Sequence, residues 1–192
     1  MIETIEFEGE VYPKFQASGN AARFIIPFAR EVCQGGMMED NVGYFEGLDI
    51  GAGKLSWLFP GAAPIDPFFD WEGEERKMIH MRKHSIWEGH DALHLPKGPW
   101  PYIFSSHCLE HIKESWSSVL DYWLEKLAPG GTMFLYLPHP DQKYWLPWND
   151  EKHVHIIHPQ DIERYFRAGS YKNIYVSQRD LNHSFAAMAQ KM

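Results

Sequence analysis

Glu46-Gly47-Leu48-Asp49-Ile50-Gly51-Ala52-Gly53-Lys54 packs a short apolar strand, an acid and a glycine turn into one run. Gly51 and Gly53 carry no Cβ, so the main chain can turn sharply and let a ligand approach it, with free N–H groups lining the start of a following helix. Asp49 sets a negative charge beside that turn, where it repels a phosphate. Leu55 stands where a third phosphate-loop glycine would fall, and no Lys-Ser/Thr pair follows Gly53, so the run reads against a phosphate loop. An acidic, glycine-lined turn suits a nucleoside with a cationic amino-acid tail. Gly-x-Gly alone is equally an ordinary strand-to-helix turn, and the rest of the chain has to decide.

The 192 residues suffice for one well-filled domain and are short for two. Residues 1–43 read as an N-terminal arm and helix, and 44–192 as the core. Apolar residues at 44% and charged residues at 23% are those of a globular protein in water. A net charge of −8 argues against a broad basic surface for nucleic acid. The acidic N-terminus is no secretory signal and no apolar run approaches a membrane span, so no membrane role is expected and cytoplasm is the expected compartment. Cys33 and Cys108 are too few for a disulfide scaffold or a cysteine-rich zinc site.

Working outward, Ile5 to Val11 alternates like an edge strand or ordered arm. Ser18 is a plausible N-cap for a helix reaching about Cys33, which Pro27 should kink or split in two. Gln34 to Gly43 reads as a loop. Tyr44–Ile50 reads as the first core strand, 54–60 as a short helix stopped at Pro60-Gly61, and Ala62–Asp66 as a second strand. A third lies near Ile86–Glu88 and a fourth at Tyr102–Ser106. Trp116, Val119, Leu120, Trp123, Leu124 and Leu127 share one helical face, which predicts a helix over 114–127 ending at Pro129-Gly130-Gly131. Thr132–Leu137 is a continuous apolar strand of the kind buried on both faces. A helix over Asp161–Ala168 and strands at Ile174–Ser177 and Ser184–Met188 complete the chain. The pattern predicts an α/β fold with a doubly wound, mostly parallel, seven-stranded sheet and an antiparallel C-terminal hairpin. In such sheets ligands bind at the carboxyl ends of the strands, where Gly51, Asp66, Asp91, Ser106 and His139 fall.

Four stretches in this order resemble the class I S-adenosylmethionine-dependent methyltransferases. They are Leu48-Asp49-Ile50-Gly51-Ala52-Gly53; Pro64-Ile65-Asp66-Pro67; His90-Asp91-Ala92-Leu93-His94-Leu95-Pro96 with Ser105-Ser106-His107-Cys108-Leu109-Glu110-His111; and Leu127-Ala128-Pro129-Gly130-Gly131-Thr132. The resemblance implies a Rossmann-like methyltransferase fold with S-adenosylmethionine as cofactor. Asp49, Gly51, Ala52 and Gly53 would take its methionine part, Asp66 beside Pro67 the ribose hydroxyls, Asp91 and Ala92 the adenine, and Ser105 and Ser106 the sulfonium side. Gly51 and Asp66 lie only 15 positions apart, closer than usual, and Lys54 with Pro60-Gly61-Ala62 fits a subset of the family with a short first crossover. Asp70 is the fallback ribose ligand, and Phe68, Phe69 and Trp71 either cover adenine or pack in the core.

His107, His111 and His139 are the candidate bases, and with His153 they should gather at the substrate opening. Loop 139–158, with Tyr144, Trp145 and Trp148, suggests a small polar acceptor; Ser105-Ser106-His107-Cys108 disfavours nucleobase amines. Two rivals stand beside this reading. One is a cofactor-binding subunit without catalysis. The other is a zinc-dependent hydrolase, since His107-Cys108-Leu109-Glu110-His111 matches His-x-x-Glu-His. No residue is assigned to a metal in the preferred reading, although the resemblance implies that Glu110 with His111 could hold a divalent ion, as in some relatives.

Overall fold

The computed structural model describes residues 4–7, 10–13, 22–33, 46–53, 62–67 and 91–192. The Ser18 cap, loop 34–43, the helix at 54–60, the residues Phe68, Phe69, Asp70 and Trp71, His90 and the strand near Ile86–Glu88 lie outside the described residues.

At the N-terminus, the single alternating stretch expected at Ile5 to Val11 is two strands, β1 (Thr4–Phe7) and β2 (Glu10–Pro13), paired antiparallel. The helix α1 (Ala22–Val32) is assigned as one piece through Pro27, not two. Proline forfeits one backbone bond there, and burial of Ile25 and Ala29 on either side offsets it.

The remaining strands are β3 (Gly47–Ile50), β4 (Ala62–Ile65), β5 (Trp100–Ser106), β6 (Leu127–Pro138), β7 (Tyr171–Val176) and β8 (Ser184–Lys191). They form one sheet in the order β4-β3-β5-β6-β8-β7. Strands β3 to β6 run parallel, and β8 lies antiparallel between β6 and β7. This is the doubly wound α/β sheet with an antiparallel C-terminal pair. Six strands are described; the position expected for the seventh is among the residues outside the description.

Alternation along β5 and β6 divides the core between the two faces. Tyr102, Phe104, Phe134 and Tyr136 meet Ile25 and Ala29 of α1 on one side. Ile103, Met133, Leu135 and Leu137 meet α2 (Trp116–Lys126) and α3 (Pro159–Ala168) on the other. Helix α2 buries Val119, Leu120 and Trp123, each contributing roughly 1.5–3 kcal/mol by removal from water.

The sequence predicted a Pro-Gly-Gly loop between α2 and its strand, but β6 begins directly at Leu127. Two features permit this. The Lys191 ammonium donates to Leu124 O and Leu127 O at 2.8 and 2.7 Å, capping the helix end with a positive charge. The β5–β6 register passes from the Trp100–Leu127 pair to the Tyr102–Thr132 pair, so residues 128–131, with Gly130 at φ of 75°, still turn as Pro-Gly-Gly predicts and Pro129 owes the ladder no N–H.

Candidate active site

Parallel pairing brings the ends of β3, β4 and β5 side by side, with Ile50 opposite both Ile65 and Ser105. The glycine turn therefore opens next to the chain that follows Ser106. Gly51 and Gly53 adopt φ of 81° and 79°, the left-handed region that favours glycine. Gly51 N–H donates to Ile65 O at 2.8 Å and Gly53 N–H to Asp66 Oδ2 at 3.0 Å. The acid at the end of β4 is thus joined to the turn after β3. A Cβ on Gly51 would stand 2.5 Å from Cys108 Cβ, so the glycine also permits the chain after β5 to close on the turn.

Asp49, Ala52 and Ser105 are buried, Ser106 nearly so, Asp66 is half-buried and Pro67 is exposed. Cys108 lies among these groups; burial, then the nearby Glu110 and Asp66 carboxylates, push its thiol up, so it stays protonated and is no nucleophile. Sequence reading passed over Cys108, because nothing in its immediate neighbours signals contact with Gly51.

Asp91 caps its own turn, with Oδ1 accepting Leu93 N–H at 2.8 Å and lying 2.9 Å from His94 Nδ1. Burial opposes the charge, but these bonds outweigh it and hold the carboxyl below its ordinary value. The segment is fastened to α2: Trp123 Nε1–H donates to Ala92 O, and the Tyr122 hydroxyl accepts Leu95 N–H, both at 2.8 Å.

The three candidate bases occupy different surroundings. His107 has φ of 50°; its Nε2 is 2.9 Å from Ser184 Oγ, and its ring lies edge-on to Trp145 with centroids 5.0 Å apart. Burial, with His153 and His111 nearby, pulls its pKa down to about 3, so the ring is neutral. His111 pairs Nδ1 with Lys152 O at 2.9 Å. His139 pairs Nδ1 with Asp141 Oδ1 at 2.8 Å, and the other Asp141 oxygen meets Arg179 Nε at 3.2 Å. A small pocket is lined by Glu110, His139, Gln142, Trp145 and His155.

Between His107 and His111 lies Glu110, fully buried, with Oε1 3.6 Å from His107 Nδ1 and 3.8 Å from His111 Nε2. Burial pushes its carboxyl up to about 8 against the pull of its own backbone N–H. Of the predicted opening cluster, His107, His111 and His153 come together around this carboxylate. The His-x-x-Glu-His stretch does not form one helix, however: only Leu109–His111 make a short 3₁₀ turn. His107 and His111 are therefore not the two helical ligands, one turn apart, that a zinc peptidase requires.

A family model described as a methyltransferase domain matches residues 23–176. No curated protein matches the chain in sequence. Among solved structures, PigF with SAH aligns at 18% identity and a TM-score of 0.57, over 90% of this chain and 62% of its own. The chain thus spans less than two thirds of that protein. A SAM-dependent methyltransferase from Archaeoglobus fulgidus aligns at 15% identity and a TM-score of 0.56, over 93% of this chain and 96% of its own. The N-methyltransferase NodS from Bradyrhizobium japonicum WM9, solved with S-adenosyl-L-homocysteine, aligns at 16% identity and a TM-score of 0.55, over 77% of this chain and 78% of its own. At these identities the structural likeness is one of fold. With the family model covering most of the chain, and the sheet placing the glycine turn beside the acid of the next strand, the chain belongs to the methyltransferase-domain family and has the class I fold of S-adenosylmethionine-dependent methyltransferases.

Proposed function

We propose that the chain binds S-adenosylmethionine at the carboxyl ends of β3, β4 and β5 and transfers its methyl group directly to a small polar acceptor. The observation that carries this reading is the Gly53 N–H to Asp66 bond, which joins the glycine turn to the acid of the neighbouring strand. Two carboxylates beside a glycine turn suit an ammonium group and a ribose diol, and repel a phosphate. When bound, the cofactor supplies an electrophilic methyl on a sulfonium. On this reading the backbone of Gly51, Ala52 and Gly53, with Asp49, holds the amino-acid portion. Asp66 and Pro67 receive the ribose, Asp91 and Ala92 the adenine, and the Ser105–Ser106 main chain borders the sulfonium. Alignment and exclusion of water then provide most of the rate.

Where the acceptor must lose a proton, His139 is the base we favour. Its Nδ1–H donates to Asp141, itself held by Arg179, so Nε2 keeps its lone pair. His107 is committed to Ser184 and serves to shape the wall. Loop 139–158 would supply acceptor specificity through Tyr144, Trp145 and Trp148.

Calorimetric titration with S-adenosylmethionine and its demethylated product tests the cofactor site. Micromolar binding is expected, weakened by about 1–3 kcal/mol in Asp66→Ala, with Asp66→Asn keeping an acceptor for Gly53 N–H as the folding control. A folded intact chain that binds neither compound would overturn the proposal.

A further inference from the structure

From the arrangement of Glu110, His111 and His153 we infer a binding site for one first-row divalent transition-metal ion, of the zinc or cobalt type. Each of the three offers a ligand atom, and these atoms all lie within 4.8 Å of one another. Zinc–nitrogen bonds of about 2.0–2.1 Å put tetrahedral ligand atoms about 3.4 Å apart. The gap closes by modest side-chain rotation.

Three independent features make this a prepared site. The first is hydrogen bonding at the far side of each ring. His111 Nδ1 lies 2.9 Å from Lys152 O and His153 Nδ1 2.7 Å from Trp145 O. A carbonyl only accepts, so each Nδ1 carries the proton and each Nε2 keeps its lone pair. This is how metal-ligating imidazoles are fixed by their outer partners.

The second is the carboxylate. Both Glu110 oxygens are buried, and among the described residues no other residue donates a hydrogen bond to either. These oxygens are therefore open to a cation, whose charge would compensate the buried carboxylate.

The third is backbone rigidity. Glu110 O accepts Val154 N–H at 2.8 Å and His155 N–H at 3.2 Å, which ties the segment carrying His153 to the one carrying Glu110 and His111. Asp150 Oδ2, 3.9 Å from His153 Nε2, stands by as a further oxygen donor. Two imidazoles with a carboxylate select a borderline transition ion over magnesium or calcium, which favour all-oxygen shells. Three protein ligands leave a coordination position open to water or to an acceptor oxygen.

The site stands independently of the proposed cofactor chemistry, and its test separates the two. Untagged full-length chain, stripped with a chelator, is titrated with zinc chloride by calorimetry and with cobalt chloride by visible absorption. S-adenosylmethionine binding is measured in parallel, so failure of one site leaves the other readable. One equivalent of metal per chain is expected. Affinity should fall at least about tenfold in His153→Ala and in Glu110→Gln, with His155→Ala binding as the parent does. Should Glu110→Gln not fold, as judged by circular dichroism, the half-exposed His111→Ala takes its place with the same expected loss. A folded parent chain without saturable one-equivalent binding would overturn the inference. So would binding that survives His153→Ala together with either of the other two substitutions.

Discussion

The glycine turn after β3 and the histidine cluster around Glu110 share one end of the sheet but are built in opposite ways. The turn is a run of neighbours, Asp49 to Gly53, whose left-handed φ values two glycines permit and which bonds to the strand alongside, at Ile65 O and Asp66. The cluster is gathered from three separate stretches, 105–111, 139–158 and 177–184, none of which specifies it alone. Glycine backbone conformation and two bonds to the adjacent strand sustain the first region; hydrogen bonds between segments 41 and 77 positions apart hold the second. His107 makes the contrast plain, being a non-glycine residue at positive φ that Ser184, far along the chain, keeps in place.

The strongest way to break the comparison is Gly51→Val. A β-branched residue at φ of 81°, with its Cβ 2.5 Å from Cys108 Cβ, should cost about 2–4 kcal/mol in urea unfolding and abolish S-adenosylmethionine binding. Unchanged stability would mean that the turn is not conformationally demanding.

A smaller effect probes the second region through Asp180. It is buried, accepts the Tyr136 hydroxyl on Oδ2, and accepts Asn182 and Ser184 N–H on Oδ1 at 2.9 Å each. Burial raises its carboxyl above the ordinary value although these bonds pull the other way. The fold therefore holds the carboxyl proton more tightly than the unfolded chain does. Its contribution to stability is fully present below about pH 3.9, the unfolded value, and is lost as pH rises through the higher folded value. Denaturation of the parent and of Asp180→Asn across that window should show the variant losing less stability with rising pH; parallel curves would remove Asp180 from the account.

The smallest expected change is at Trp148, 70% exposed in loop 139–158. Trp148→Ala should alter stability by no more than about 0.5 kcal/mol and leave cofactor affinity intact. A large loss in either would show that this loop supports the first region and does not merely flank it.

Hydrophobic spacing made most of the fold legible. The apolar face of α2 ran through Trp116, Val119, Leu120 and Trp123, and the unbroken run through Leu137 marked a strand buried on both faces. The start of β6 was hidden because Pro129-Gly130-Gly131 is turn chemistry by local rules and does turn, and the pairing of Leu127 with Trp100 ahead of that turn belongs to the tertiary level. The N-terminal hairpin was missed for a related reason, since Ile5 to Val11 alternates as one strand and the pairing of Thr4 with Pro13 belongs to the tertiary level. At the site, motif order picked out Gly51, Gly53 and Asp66, and their direct bonding is what the structure adds.

The sequence by itself determined the alternation of strand and helix and the glycine turn with Asp49, because these depend on residues a few positions apart; strand pairing then sets Asp66 beside that turn. Only the tertiary structure decided which histidines meet. Sheet pairing sets Tyr136 beside Ser106 and Ser184 beside Pro138, and the Glu110 carbonyl draws in Val154 and His155. Such contacts join positions that local preference cannot relate, and they form when burial of the core brings distant segments together.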